Sequence, residues 1–370
     1  MPDSFDLKFL QDRAAALVEA ARKAGADACD AVVAASRATG VDVREGAVEE
    51  SEGAENNAFS LRAFVGKRSA SISANAAGDP AALAERAVAM AKVSPENRFA
   101  GLADKHLLAR DIPDLDLFDD TQPDFSAMKE FALQCEDAAL AVSGVQKSSG
   151  ASFGRTLGGS VLATSEGFVG SFQSSRFGLS VSVVAGEGTR MERDYDFDSQ
   201  HHLGDLRNAV DIGTQAGKRA IARLNPKQVK TQQAPVVFDP RVARGLLSHF
   251  ASAINGTSIV RKTSFLRDCM EKPVFGNSVT IIDEPQITRG IASRPFDAEG
   301  VGGVALVLAK KGVLQSLLLD SSVARELGLQ TNGRASRAGS GTSPGSTNLT
   351  MQAGPRSPQE MMDQIQTGFY

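Results

Sequence analysis

The sequence predicts an α+β fold, in which an N-terminal strand meander with helices on one face precedes a larger, antiparallel, strand-rich body with helices. Strand-like and helix-like runs are segregated along the first part of the chain. Residues 177–183 alternate apolar with small side chains, which is typical of a half-buried antiparallel strand. Asp-Pro pairs at 79–80 and 239–240 match the residue preference of helix starts.

The first predicted element is a helix over residues 5–24, whose apolar side chains recur at helical spacing and which Gly25 ends. Strand-like runs follow at 31–35, 41–44, 58–65 and 70–74, and a second helix starts at Asp79. These elements form the meander with its helices.

The middle of the chain begins after a proline-rich and acidic stretch, residues 112–124, which has no periodicity and is predicted to be a linker or a surface strap. A helix around Met128 to Ala139 follows it. Residues 144–198 are predicted to be mainly strands, and residues 206–224 a further helix. We therefore predict domains at 1–112 and 125–230, with residues 113–124 linking them.

The last predicted domain, residues 231–370, opens with a short strand at 236–238 and a helix that Asp239 caps. One apolar stripe runs down this helix and consists of Val242, Leu246, His249, Phe250 and Ala253. Strand candidates follow at 279–282, 304–308 and 313–319. Residues 332–348 are rich in Gly and Ser and are predicted to form a long mobile loop.

Composition excludes several classes of protein. The net charge of the 370 residues is −4 and no run of Lys or Arg exceeds two, so no nucleic-acid partner is indicated. No apolar stretch has the length of a signal core or a membrane span. Cys29, Cys135 and Cys269 are few, odd in number and widely spaced, which favours reduced thiols and a cytoplasmic location.

Two places invite a metal interpretation: His249 in the helix after Asp239, and the adjacent His201 and His202 near acidic residues, where a solvated turn is the favoured interpretation. A zinc peptidase helix needs two His on one face and a Glu beside the first. Here His249 is followed by Phe250, and no second His lies within two turns. We therefore predict a partly buried His on an apolar stripe, with no metal site and no catalytic residue in this chain.

Two charged clusters, residues 190–196 and 294–300, admit two interpretations. Each is either a salt-bridged surface loop or part of a groove wall that holds an extended peptide. No phosphate-binding loop accompanies them, since the Gly-rich run at 300–303 precedes a strand where a dinucleotide fingerprint would follow one.

Several segments resemble the PmbA/TldE branch of the TldD/PmbA family. They include the stretch from the helix at Asp239 through Arg261-Lys262-Thr263-Ser264-Phe265-Leu266. The others are residues 103–105, 113–118, 167–168, 174–176, 191–195 and 293–301. The resemblance covers the chain in order. Members of this family were first named modulators of DNA gyrase, and two paralogues pair as a heterodimeric zinc metallopeptidase that acts on unfolded or leader peptides.

The resemblance implies that this chain is the metal-free subunit. The zinc-bearing TldD paralogue carries His-Glu and a second His four residues after the Glu, and these positions match His249, Phe250 and Ile254 here. Phe250 cannot activate water and Ile254 cannot bind zinc. The expectation is a catalytically inactive chain that completes the cavity and holds substrate, with zinc in its TldD-type partner.

Six residues are predicted to contact substrate or the partner: Arg261, Lys262, Ser264, Phe265, Arg294 and Phe296. Family chains usually continue in a Gly-rich segment, so the domain that stops at Tyr370 is expected to be truncated. Three alternatives stay open: a stand-alone, homo-oligomeric peptide-binding scaffold, a zinc peptidase in its own right, and a protein that binds gyrase or DNA directly.

Overall fold

A computed structural model describes residues 6–75, 78–338 and 341–370. It confirms the α+β class, with helices at Leu7–Lys23 (α1), Pro80–Val93 (α2), Phe125–Leu140 (α3), Ala209–Ala222 (α4), Pro240–Ala253 (α5), Gly256–Val260 (α6), Ser321–Glu326 (α7) and Pro358–Asp363 (α8). The strands are Ala28–Arg44 (β1), Ala47–Val65 (β2), Arg68–Asn75 (β3), Val145–Thr164 (β4), Val169–Ala185 (β5), Glu192–Gln200 (β6), Ile281–Glu284 (β7), Leu306–Lys310 (β8), Val313–Leu314 (β9), Ala335–Ala338 (β10), Gly341–Pro344 (β11) and Asn348–Met351 (β12).

The largest element is a six-stranded antiparallel sheet in the order β3-β2-β1-β4-β5-β6. The two short strands predicted at 31–35 and 41–44 are parts of the single strand β1, which pairs with β4 from Asp30–Thr164 to Val43–Ala151. This sheet therefore runs through both of the first two predicted domains. The division of the chain at residues 112, 124 and 230 stays a prediction.

The helix pair α1 and α2 and the helix pair α3 and α4 lie on the same face of this sheet. Ala31 and Val33 of β1 are buried in a core with α1 and α2. Val41 and Val43, which have the same strand parity, are buried in a second core with α3 and α4. The opposite face, which includes Val32 and Ala34, carries no helix pair from the described part of the chain and instead faces residues of the C-terminal part. We call it the open face.

Helix starts follow the sequence closely. The side chain of Asp79 accepts hydrogen bonds from the backbone N–H groups of Ala81 and Ala82, and Asp239 accepts one from Arg241. Ser357 and Glu360 form a reciprocal capping box at α8. The described part of the chain holds no helix that is both long and apolar enough to cross a membrane.

The C-terminal part is built around a four-stranded sheet in the order β12-β7-β8-β9, with α5, α6 and α7 against it. Three predictions about it are wrong, and the first is the strand over residues 313–319, of which only Val313–Leu314 is a strand. Residues 236–238 are not a strand but make one isolated bridge, between Val236 and Phe369. Residues 332–348 are not one long loop, because β10 and β11 pair as a hairpin and β12 starts at Asn348, although residues 339 and 340 lie outside the described residues.

Candidate functional site

Only part of the predicted apolar stripe of α5 packs against the rest of the protein. Phe250 and Ala253 are buried, whereas Val242 and Leu246 are 58% and 51% exposed. His249 is exposed as well, so the prediction of a partly buried histidine is wrong. The physical reason is that the core of the C-terminal part covers the C-terminal end of α5 and leaves the rest of its apolar face uncovered by described residues.

The positions of the degenerate metal motif are filled by packing side chains. The ring of Phe250 meets that of Phe275 edge to face, with centroids 5.0 Å apart. Ile254 is fully buried in the same core. Among the described residues, no three His, Cys, Asp or Glu side chains are grouped as metal ligands would be. These residues therefore do not fit a zinc site of the kind that the resemblance implies for the partner.

The basic, hydroxyl-rich segment after α5 divides into a buried and an exposed part. The Ser264 hydroxyl donates to the carbonyl of Ala253, at 2.6 Å, and accepts from the backbone N–H of Leu266, at 3.0 Å. Its role in this fold is thus to fix the chain after α6. Arg261, Lys262 and Phe265 are exposed, and Phe265 has 82% of its surface open to solvent.

The loop that carries Arg294 and Phe296 closes one side of a pocket of about 480 Å³ against the open face. Phe296 is buried and packs edge to face on Phe168 and Phe172, at centroid distances of 5.2 and 5.8 Å. The structure thus brings two of the six predicted residues together in one pocket. Arg261, Lys262, Ser264 and Phe265 do not line it.

Asp297 holds this loop in shape. Its carboxylate accepts hydrogen bonds from the backbone N–H groups of Glu299, Val301 and Ala335, at 2.8 to 2.9 Å. Burial and the charge of Glu299 raise the pKa of Asp297 to about 7, and the three N–H donors act in the opposite direction. Because the donors come from the loop itself and from β10, Asp297 ties both to the pocket.

Sequence reasoning missed a buried ionic network between the sheet and the hairpin of β10 and β11. The carboxylate of Asp30 accepts hydrogen bonds from the Nε of Arg62, at 2.9 Å, and from the Nη2 of Arg337, at 2.6 Å. Burial alone would raise the pKa of Asp30, but the charges of Arg62 and Arg337 and their hydrogen bonds outweigh it and lower the pKa. The signal was present, since Asp30 and Arg62 interrupt otherwise apolar strand runs.

A second buried pair, Arg334 with Asp283, fixes the start of the same hairpin. Both side chains are fully buried and ion-paired. Asp283 also accepts from the backbone N–H and the hydroxyl of Thr347. The two pairs explain why a Gly- and Ser-rich stretch is ordered as a hairpin: long-range charge pairing, which local composition does not reveal, holds it in place.

Comparison with known proteins gives matches over most of the chain. Residues 29–91, 118–224 and 231–370 match the models of domain 1, the central domain and the C-terminal domain of the PmbA/TldA metallopeptidases. The "Metalloprotease PmbA homolog" of Haemophilus influenzae is 36% identical over 323 residues, which are 86% of this chain and 71% of that protein. The "Metalloprotease PmbA" of Escherichia coli is 37% identical over 311 residues, 82% of this chain and 69% of that protein.

More distant relatives include a "Metalloprotease TldD homolog" of Haemophilus influenzae, 29% identical over 52% of this chain and 42% of that protein. Solved structures share the fold. A candidate modulator of DNA gyrase from Bacteroides thetaiotaomicron superposes with a TM-score of 0.88 at 24% identity, over 98% of this chain and 81% of that one. TldE from Thermococcus kodakarensis gives 0.76 at 17% identity, over 96% and 81%. The three matched domains and the extended similarity to two PmbA proteins show that this chain belongs to the PmbA/TldD metallopeptidase family.

Proposed function

We propose that this chain is the subunit without metal of a heterodimeric TldD/TldE-type peptidase, that it is inactive alone, and that it holds unfolded or leader peptides for a zinc-bearing TldD-type partner. The proposal places the complex in the cytoplasm, in keeping with three cysteines that form no disulfide. The existence of both TldD- and TldE-named relatives supports a partner of the TldD type.

The observation that carries the proposal is the chemistry of α5 and its cap. Phe250 and Ile254 occupy core positions where a metallopeptidase of the HExxxH type would place a general base and a ligand. Restoring those polar groups would bury them among Phe275 and aliphatic side chains, at the cost that buried unpaired polar groups carry. The helix is therefore built for packing, and catalysis is assigned to the partner.

A free sheet edge supports the peptide-holding role. Among the described residues, strand β3 pairs with residues 58–65 of β2 only, so residues 47–57 of β2 have a described partner on the β1 side alone. These residues are almost all exposed. An unpaired strand edge offers backbone donors and acceptors to an extended peptide, which can add to the sheet as a further strand. The edge is acidic, with Glu49, Glu50, Glu52 and Glu55, so we expect it to favour neutral or basic peptides.

Co-expression with a TldD-type paralogue tests the proposal. The expected result is a stable complex on affinity capture, and cleavage of an unstructured peptide that requires both chains. The matched control is the paralogue with its motif Glu changed to Gln, which should form the complex and not cleave. A paralogue that never binds this chain, or that cleaves equally well without it, would sink the proposal.

A further inference from the structure

The pocket beneath the loop of Arg294 has an apolar body and a cationic end. Its walls come from the open face and from the C-terminal part, and include Val32, Leu162, Phe172 and Phe296. The guanidinium groups of Arg294 and Arg337 lie in the same lining. A volume of about 480 Å³ is within the range of small-molecule and side-chain binding sites.

Arg294 is a desolvated cation that forms no direct ion pair among the described residues, although the charges of Asp297 and Asp283 are near enough to act on it. Its Nη1 donates to the hydroxyl of Ser336 at 3.2 Å, while its Nε and Nη2 are buried and have no acceptor there. Burial lowers the pKa of Arg294, the direction expected when desolvation dominates. A buried charge without a partner destabilises a fold, so its presence in a pocket indicates an anion that binds from outside.

Arg337 adds a second donor to the same pocket. Its side chain is 8% exposed and its Nη2 is paired with Asp30, but its Nε has no acceptor in the described part of the chain. Arg334, three residues earlier, shows the contrast. The side chain of Arg334 is completely buried, and its nitrogens donate hydrogen bonds to Asp283 and to backbone carbonyls. Both arginines that line the pocket thus keep a buried donor without an acceptor among the described residues, as does Arg155 of β4 outside the pocket, whereas Arg334 keeps none.

The surroundings select the kind of anion. Asp30 and Asp297 are buried close to the two arginines, so the site offers too little net positive charge for a dianion such as phosphate. A carboxylate carries a single charge and its two oxygens suit guanidinium donors. The aromatic and aliphatic walls require that the carboxylate be attached to an apolar body.

We propose that this pocket binds a carboxylate on an apolar body, with Arg294 and Arg337 holding the carboxylate and Leu162, Phe172 and Phe296 contacting the apolar part. The inference deepens the proposed function, on which it rests for its preferred source: the C-terminal residue of a bound peptide. The geometry supports this source, because the free edge of β2 ends at Asn57 and the next residue, Ala58, lines the pocket.

Binding by the isolated full chain tests the inference without the partner. The probes are acetyl-Ala-Ala-Leu with a free carboxylate, the same peptide as its carboxamide, and octanoate. We expect the free peptide acid to bind at least about tenfold more tightly than the amide, because charge-assisted hydrogen bonds are lost in the amide. Binding of octanoate alone would support the pocket and assign a free acid as its ligand. Equal affinity for peptide acid and amide, or no binding by any probe, would overturn the inference.

Substitution at Arg294 separates a binding role from a structural one. Arg294→Gln should weaken the peptide acid at least about tenfold and leave the melting temperature unchanged or higher, because it removes an uncompensated buried cation. Arg294→Lys should retain part of the affinity. The matched control is Arg267→Gln, which removes a half-exposed arginine paired with Asp268 and should change neither property. A fall in melting temperature with unchanged affinity in Arg294→Gln would make Arg294 a packing residue and contradict the inference.

A filling variant guards against misfolding of the arginine variants. Ser160 lines the pocket from β4 and is half-buried. Ser160→Phe keeps both arginines and occupies the volume, so it should abolish probe binding. Complex formation with the paralogue is measured in parallel. If the wild-type chain forms the complex but binds no probe, only the pocket is rejected. If it binds the probe but forms no complex, only the proposed function is rejected.

Discussion

Helices α4 and α5 are both 14 residues long, both start after an Asn or Asp cap, and both carry an apolar stripe, yet the fold uses them differently. In α4, six residues are buried against α3 and the sheet, among them Gly213 and Gly217. In α5, only Phe250 and Ala253 are buried. A periodic stripe therefore predicts the helix and its apolar face, but it does not predict how much of that face the same chain covers.

Small residues explain the tight docking of α4. A Cβ added at Gly213 would fall on the carbonyl oxygen of Cys135 and 2.9 Å from the Cβ of Ala138, both in α3. Gly245, in the middle of α5, has open space around the same position. Gly213 in α4 and Gly245 in α5 thus provide a matched pair of substitutions for the two helices.

The largest expected effect is that of Gly213→Ala. Since backbone of α3 blocks the added methyl group, the helix pair must separate, and we expect the free energy of unfolding to fall by about 3 kcal/mol or more. Urea unfolding followed by circular dichroism measures it. The control, Gly245→Ala, should raise stability by about 0.5–1 kcal/mol, since Ala is the better helix former and nothing obstructs it. Similar effects of the two substitutions would mean that α4 and α5 are packed alike.

Within α5, the comparison is between the two ends of one stripe. Phe250→Ala should lower the free energy of unfolding of the C-terminal part by about 3 kcal/mol, because it leaves a cavity beside Phe275. Leu246→Ala, at a half-exposed position, should cost less than about 0.5 kcal/mol in the isolated chain. Thermal unfolding of both variants checks the contrast. A cost at Leu246 as large as that at Phe250 would show that its stripe is covered in solution.

The large sheet and the loop over the pocket differ in the pH dependence of their buried acids, Asp30 and Asp297. Asp30 in the sheet has a lowered pKa, so its contribution is lost only as pH falls below about 4. Asp297 has its pKa raised to about 7. Between about pH 4 and 7 the folded chain holds a proton there that the unfolded chain has released, so stability from Asp297 falls as pH rises.

Glu299→Gln tests this contribution, because it removes a charge that helps to raise the pKa of Asp297 and also that of the neighbouring Asp320, whose slope has the same sign. The wild-type slope alone is insufficient, since burial lowers the pKa of His201 and gives a slope of the opposite sign in the same range. We expect the variant to lose about 1 kcal/mol less than the wild type between pH 5 and 8, at about 1.4 kcal/mol per pKa unit, because burial, the larger cause of the raised pKa, remains. Parallel stability curves for the two proteins would contradict the assignment.

The same contrast explains how much the sequence could predict. Caps such as Asp79 and Asp239, and the strand alternation at 177–183, are local signals, and the structure confirms them. The hairpin of β10 and β11 depends on Arg334 and Arg337, whose partners Asp283 and Asp30 are distant in sequence, so composition suggested a loop. The pocket could be predicted only in part, for the same reason. The charged cluster at residues 294–300 identified Arg294 as a candidate, but Arg337 lines the pocket only because the fold brings the hairpin to the sheet.

The smallest expected effect is at the residue on which the metal question depends. His249 is exposed on α5, so His249→Ala should change the free energy of unfolding by less than about 0.5 kcal/mol. Because a single imidazole without the base and second ligand makes a poor zinc site, we also expect elemental analysis to find no stoichiometric zinc in either protein. One zinc per wild-type chain, lost in His249→Ala, would reverse the roles assigned to the two paralogues. It would also require that the exposed face of α5, with Val242 and Leu246, be a site wall completed by residues outside the described chain.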